Sequence, residues 1–201
     1  MEYLFIISFA IVLAASTGIR AFLPITITAL LAKFNLIAIK DLYSTPFIQY
    51  ITDDRVLLFL IVATVIEILS DKIPAVDNFL DGVYTVVKPV IAFISSYAVI
   101  SANLEPWQNA IIAITLALST TSVSMGLKGA VRLASTTTTA GTLNTIISFV
   151  EDILVSVKIL LSMIFIWILP IMAFMSILLT IVLIMILFKV FRKKLREAST
   201  N

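Results

Sequence analysis

The sequence predicts an all-α integral membrane protein. Hydrophobic residues make up 61% of the 201 residues and charged residues 13%, whereas soluble domains carry about 45–50% and about 25%. The mean hydropathy is +1.14, and a soluble chain of this length could not bury so much apolar surface. The apolar stretches are continuous rather than alternating, which favours helices over strands.

The composition also excludes several kinds of chemistry. The chain has no cysteine and no histidine, which rules out disulfides, Cys/His metal sites, cysteine nucleophiles and imidazole bases. Phosphate-binding and dinucleotide-binding glycine motifs are absent from the sequence. We therefore expect no enzyme, no catalytic residue, no metal and no cofactor.

We expect about six transmembrane segments, two of them broken or re-entrant, because a span needs about 20 apolar residues. Ser16-Thr17-Gly18 interrupts the first segment and Ser124-Met125-Gly126 ends the fourth, while residues 36–55 form the longest polar connection. Pro89 and Pro170 could each be a kink or a turn. The apolar segments cover residues 3–32, 56–70, 77–101, 108–122, 143–169 and 171–191.

Two halves of the chain carry similar landmarks in the same order. Pro-Val-Ile-Ala-Phe at 89–93 matches Pro-Ile-Met-Ala-Phe at 170–174, and a Ser-x-Gly-apolar-basic sequence occurs at 16–20 and again at 124–128. We therefore predict two half-repeats, residues 1–104 and 105–191. With three spans in each half the two would be inverted, a construction that recurs in transporters.

The last ten residues, 192–201, are predicted to form a basic cytoplasmic tail. The sequence places basic residues densely just after a long uncharged run, and by the positive-inside rule such residues stay in the cytoplasm. The tail could serve only as an anchor or could also contact anionic lipid heads. We expect no nucleic acid partner. The basic residues are Lys189, Arg192, Lys193, Lys194 and Arg196.

These motifs resemble a family of small bacterial and plastid membrane proteins catalogued as domain of unknown function 4126. The resemblance rests on Gly-Ile-Arg-Ala-Phe-Leu-Pro at 18–24, on Glu67, on Asp-Lys-x-Pro-x-x-Asp at 71–77, on Lys88-Pro89 and on the acidic pair 151–152. Ala75 replaces an expected glycine and Thr145 an expected proline. The resemblance covers most of residues 12–175 and implies a membrane fold and the position of the site, without implying an activity. We expect the protein to lie in a bacterial inner membrane.

The candidate binding residues are the two chain breaks and the charges around them. A helix interrupted at glycine leaves backbone N–H groups unpaired, and these attract anions and carboxylates. Charges within a membrane are costly and are usually paired or face a cavity. We expect Arg20 to pair with Asp71 or Asp77, and the bases of the second half to pair with its acids. The candidates are Gly18, Arg20, Asp71, Asp77, Gly126, Lys128, Arg132, Glu151 and Asp152.

The leading functional hypothesis is a channel or transporter for an ion or small polar solute, with a site near the membrane midplane. We expect the lipid bilayer as a partner and a homo-oligomer, because about six spans enclose little volume. The alternative is a non-transporting structural or assembly protein whose charges are internal ion pairs. A third possibility, lipid handling, requires a groove open to the bilayer beside Arg20 or Lys128.

Overall fold

The structure, a computed structural model, describes residues 2–100, 105–139 and 143–198. It confirms the all-α prediction, because the described residues form α-helices, one short 3-10 helix at Lys40–Ser44, and no strand. The α-helices are α1 (Glu2–Ile19), α2 (Leu23–Lys33), α3 (Pro46–Ile51), α4 (Asp54–Ser70), α5 (Pro74–Ile100), α6 (Pro106–Thr139), α7 (Asn144–Ile164) and α8 (Ile168–Ala198).

Helix α1 is the central element and packs against α5, α6, α7 and α8. Every residue from Phe9 to Gly18 is buried, as expected for a helix that is apolar around its whole circumference. The hydroxyls of Ser16 and Thr17 donate to carbonyls four residues earlier, at 2.7 and 2.8 Å. These bonds leave neither hydroxyl without a partner inside the bundle.

Helices α1, α5 and α6 meet at small side chains. Ala14, Ala92 and Ala117 form one contact cluster and are at most 2% exposed. One turn further along α1, a Cβ atom added to Gly18 would lie 2.6 Å from the Cβ of Ser124 on α6. Small residues let helix backbones approach this closely, which is common where helices pack within membranes.

The connection predicted as the longest polar stretch is folded against the bundle. After α2, Asn35 adopts a left-handed φ of 57°, and Leu36 N donates to Leu31 O at 2.8 Å. Together they form a Schellman turn, which satisfies the last carbonyls of the helix. The stretch that follows buries several apolar side chains in the main core: Ile37, Ile39, Leu42, Phe47, Ile48 and Ile51.

The predicted break after Gly18 is confirmed, and the predicted break at Gly126 is wrong. Helix α1 ends directly after Gly18 and α2 begins after a gap of three residues, whereas α6 continues through Gly126. Pro24 accounts for the difference, because proline lacks an amide hydrogen and clashes with the carbonyl four residues earlier, here Arg20. No proline follows Gly126 in α6, and an isolated glycine costs a helix only about 1 kcal/mol.

The two prolines of the predicted repeat occupy different places. Pro89 lies inside the continuous helix α5, whereas Pro170 is the third residue of α8. Proline is tolerated in the first turn of a helix, where its missing donor has no helical partner in any case. Helix α7 accordingly ends at Ile164, earlier than the predicted end at residue 169.

Among the described residues, two helical segments are long and apolar enough to cross a bilayer, Gly82–Ile100 and Pro106–Leu133. Three shorter apolar helical segments accompany them. The count of about six spans and the inverted half-repeats 1–104 and 105–191 stay predictions. The side chains of the basic tail lie outside the part of the chain that the structure describes.

Candidate functional site

Charged side chains from four parts of the chain meet in the interior, beside the break between α1 and α2. They come from the break itself, the turn after α4, helix α6 and helix α7. We call this group the ionic cluster, and its described members are Arg20, Asp71, Lys72, Lys128, Arg132, Glu151 and Asp152.

Arg20 lies at the centre of the ionic cluster, and its side chain is fully buried. Its Nη1 forms a salt bridge with Asp71, and its Nε lies 2.7 Å from Oδ1 of Asp152. Nη2 donates to the hydroxyl of Ser148 at 2.9 Å. A guanidinium can hold several acceptors at once because it presents five N–H groups in one plane. Arg20 therefore joins α4 to α7 through a single side chain.

The two bases of α6 approach the same carboxylates. Lys128 Nζ lies 3.2 Å from Oδ2 of Asp71 and 3.6 Å from Oε2 of Glu151. Arg132 Nη2 lies 3.0 Å from Oδ2 of Asp71 and 3.8 Å from Oε2 of Glu151. The expected pairs within each half are therefore present, Arg20 with Asp71 and both bases of α6 with Glu151. Contacts between the halves, which were not expected, accompany them. Three bases, one from the first half and two from the second, share the Asp71 carboxylate.

Helix α7 buries a mixed polar and apolar face and exposes apolar side chains on the opposite face. Ser148, Glu151 and Val155 are buried at spacings of three and four residues, the period of one helix face. The opposite face exposes Phe149 and Ile153. The buried face directs the carboxylate of Glu151 towards the ionic cluster, and the exposed face is apolar, unlike the polar exposed face that is usual for a helix of a soluble protein.

The break between α1 and α2 is closed by two charged side chains. The carboxylate of Glu67 accepts hydrogen bonds from Ala21 N at 2.6 Å and Phe22 N at 3.0 Å. Lys88 Nζ donates to Ile19 O at 2.9 Å, at the end of α1. Each charge suits the helix end that it meets, since N-termini favour anions and C-termini favour cations. The sequence predicts that this break attracts an anion or a carboxylate, and in the structure the carboxylate that accepts from two of its N–H groups is the protein's own Glu67.

Sequence reasoning placed neither Glu67 nor Lys88 in the site. Each is a single charge within an apolar stretch, Glu67 in residues 56–70 and Lys88 in residues 82–100. Such charges usually face the interior of a membrane protein, so this signal was available. Their partners are backbone groups, which no residue type marks in the sequence.

The remaining candidate residues are the two glycines and Asp77. Gly18 contacts α6 and contributes close packing. Gly126 is exposed, and a Cβ atom there would meet no atom within 4 Å. Asp77 lies in α5, but its side chain is outside the part of the chain that the structure describes.

Two cavities adjoin the ionic cluster, and Lys128 lines both. The α7 cavity, of about 420 Å³, lies between α1, α6, α7 and α8 and has Glu151 in its wall. The α5 cavity, of about 190 Å³, lies between α5 and α6 and is lined in part by Lys88 and Arg132. A separate apolar groove of about 750 Å³ runs beside Phe47 and contains no described member of the cluster.

A comparison with protein families matches residues 7–190 to the family described as Domain of unknown function (DUF4126). A search of curated proteins and a search of solved structures each give no significant match. The matched range contains the whole ionic cluster and both cavities. The chain belongs to the domain of unknown function 4126 family.

Proposed function

We propose that the protein is a small membrane channel or transporter for an ion or small polar solute, and that the ionic cluster with its two cavities forms the translocation site. The observation that carries the proposal is that Lys128, a buried member of the cluster, lines both the α7 cavity and the α5 cavity. A solute that moved between these cavities would meet the cluster charges on its way.

The outer surface supports a location within a membrane. Helix α4 exposes Leu58, Phe59 and Ile66, each more than half exposed. Its one acid between residues 55 and 70, Glu67, is 1% exposed. A broad apolar exterior around a charged interior is unfavourable in water and suits a lipid environment.

The sharing of charges supports a gating role for the ionic cluster. Asp71 has three basic neighbours and Glu151 has the same three, at distances of 3.6 to 3.9 Å. If an ion or a movement of α6 withdraws one base, the carboxylate retains another. Partner exchange of this kind avoids a bare buried charge, whose desolvation is the main cost of separating a buried pair.

Flux through liposomes that contain the purified full chain tests the proposal. We expect ion or solute flux for the wild type and its loss in Lys128→Met, which removes the ammonium and keeps the side-chain length. Lys33→Met is the matched control, because Lys33 is a half-exposed surface lysine that pairs with Asp54 outside the cluster. Absence of flux for a broad panel of ions and polar solutes by folded wild type contradicts the proposal, as does equal flux in Lys128→Met.

A second candidate is a non-transporting structural or assembly protein of the membrane. It is favoured by one observation, that Glu67 and Lys88 fill both ends of the helix break with internal hydrogen bonds. The same flux measurement separates the two candidates. For the structural role we expect no flux, and substitution of both partners of an ion pair by apolar residues should leave the protein folded.

We further propose that the protein lies in a bacterial inner membrane as a homo-oligomer, with residues 192–201 in the cytoplasm. The basic residues of the tail carry the orientation by the positive-inside rule. A C-terminal reporter active only in the cytoplasm tests the orientation, and native mass spectrometry in detergent tests the oligomer. Reporter activity on the opposite side contradicts the orientation.

A further inference from the structure

We infer that the α7 cavity binds an organic monoanion with an apolar body, and that Lys158 holds its anionic group. The ligand class is a carboxylate attached to an alkyl or similarly apolar portion. This inference rests on the proposed function, because it names the solute class of one of the two cavities.

Lys158 differs from the bases of the ionic cluster because, among the described residues, it forms no ion pair with an acid. None of the ion pairs between described residues includes it. Its Nζ contacts Ser176 Oγ at 3.1 Å, and that hydroxyl donates to Met172 O at 2.9 Å. An ammonium carries three donors, so two are available to a ligand. A partly buried ammonium without a counter-ion is costly, and a bound anion would relieve that cost.

The cavity around Lys158 supplies the remaining recognition. Ser176 and Thr180 of α8 line it beside Lys158, whereas much of its other lining is apolar, as at Leu127 and Leu154. Pockets of a few hundred Å³ with apolar walls and a few polar groups are typical of small-molecule sites. A ligand with one anionic end and an apolar body matches this distribution.

The other polar part of the cavity favours a single negative charge on the ligand. Glu151 lies seven residues before Lys158 on α7, about 10 Å along the helix axis. Its carboxylate lies 3.6 Å from Lys128 Nζ, so those two charges compensate each other. A second anionic group there would face the Glu151 carboxylate, which disfavours dianions.

Binding of labelled octanoate to the purified full chain in detergent tests the inference separately from flux. We expect binding to wild type, competition by hexanoate, and none by hexanamide, by hexylamine or by the largely dianionic hexyl phosphate. Lys158→Met should weaken binding about tenfold or more, since a hydrogen bond to a charged group contributes on that scale. Lys158→Arg should retain most of the binding, and Lys33→Met should bind as wild type. Removing an unpaired ammonium should not prevent folding, which size-exclusion chromatography verifies.

The outcomes distinguish this inference from the proposed function. Failure of folded wild type to bind any of these carboxylates, or equal binding by Lys158→Met, overturns the inference even if other ions are transported. Carboxylate binding without any flux supports the inference and contradicts the transport proposal. Palmitate is included to identify the source of the ligand. Binding of palmitate but not octanoate that depends on Lys158 supports anion recognition and assigns the ligand to the membrane lipids.

Discussion

Substitution of Gly18 by alanine tests the close contact between α1 and α6. The added Cβ would lie 2.6 Å from Cβ of Ser124 and 2.8 and 2.9 Å from the backbone O and Cα of Thr121. Carbon atoms pack at about 3.5–4.0 Å, so the helices must separate by about 1 Å. Backbone atoms of α6 cannot rotate away as a side-chain tip can. Overpacking of this kind costs about 1–3 kcal/mol.

Alanine also stabilises a helix relative to glycine by about 1 kcal/mol. A second glycine-to-alanine variant, used as a matched control, removes this effect from the comparison. Gly126→Ala changes the same residue type in α6, where an added Cβ meets no atom within 4 Å. We therefore expect Gly126→Ala to be as stable as wild type or more so. Gly18→Ala should be less stable than Gly126→Ala by about 1–3 kcal/mol, the overpacking cost itself.

The free energies of unfolding of the two variants can be measured by reversible unfolding in mixed micelles. The fraction of denaturing detergent is raised while far-UV circular dichroism follows the loss of helix. The comparison requires equal slopes for the variants, so that the difference in midpoint reports stability. If Gly18→Ala is as stable as Gly126→Ala, the close approach of α1 and α6 at Gly18 is refuted.

Three further predictions concern charged residues. Arg20→Met should lower the free energy of unfolding by about 1.5–3 kcal/mol, the contribution of a hydrogen bond to a charged group, because Asp71 loses Arg20 but keeps Lys128 and Arg132; a loss below 1 kcal/mol, measured by the same unfolding assay, contradicts this. Glu67→Ala should lower the free energy of unfolding by about 1–3 kcal/mol for each backbone donor that loses its acceptor. Glu67→Gln should lower it less, because an amide still offers one acceptor oxygen; equal stability of the two variants contradicts this prediction. The hydrogen bond from the Lys33 ammonium, and then its charge, hold the pKa of Asp54 below its usual value. The stabilisation from this lowered pKa is present above about pH 4 and lost as the pH falls through the folded-state pKa. The difference in thermal midpoint between wild type and Asp54→Asn should therefore shrink in acid and in high salt, and a difference that grows in acid contradicts the assignment.

The sequence predicted the membership of the ionic cluster better than its pairing. Charges in so apolar a chain must either reach the surface or meet one another, so Arg20, Asp71, Lys128 and Glu151 could be selected without coordinates. The prediction assigned partners within each half. The observed sharing of Asp71 by bases of both halves depends on how α6 packs beside α4, which no local spacing encodes.

The two glycine motifs show where local similarity stops being informative. Both have the form Ser-x-Gly-apolar-basic, yet the helix ends at the first and continues through the second. The deciding residue, Pro24, lies four positions beyond the basic residue and has no counterpart in α6. A proline removes one backbone donor and so ends or kinks a helix. The presence of Pro24 therefore distinguishes the first motif from the second.

The closure of the break by Glu67 and Lys88 has a consequence for how the chain is made. Residues 1–33 leave the ribosome before Glu67 and Lys88 do, so the first helical hairpin emerges with two backbone donors and one carbonyl that lack their final partners. Such groups are unfavourable in hydrocarbon. If the protein is inserted into a bilayer as proposed, we expect the nascent hairpin to stay at the translocon or at the lipid headgroups until α4 and α5 arrive, and a fragment that stops before residue 67 to be degraded as unassembled.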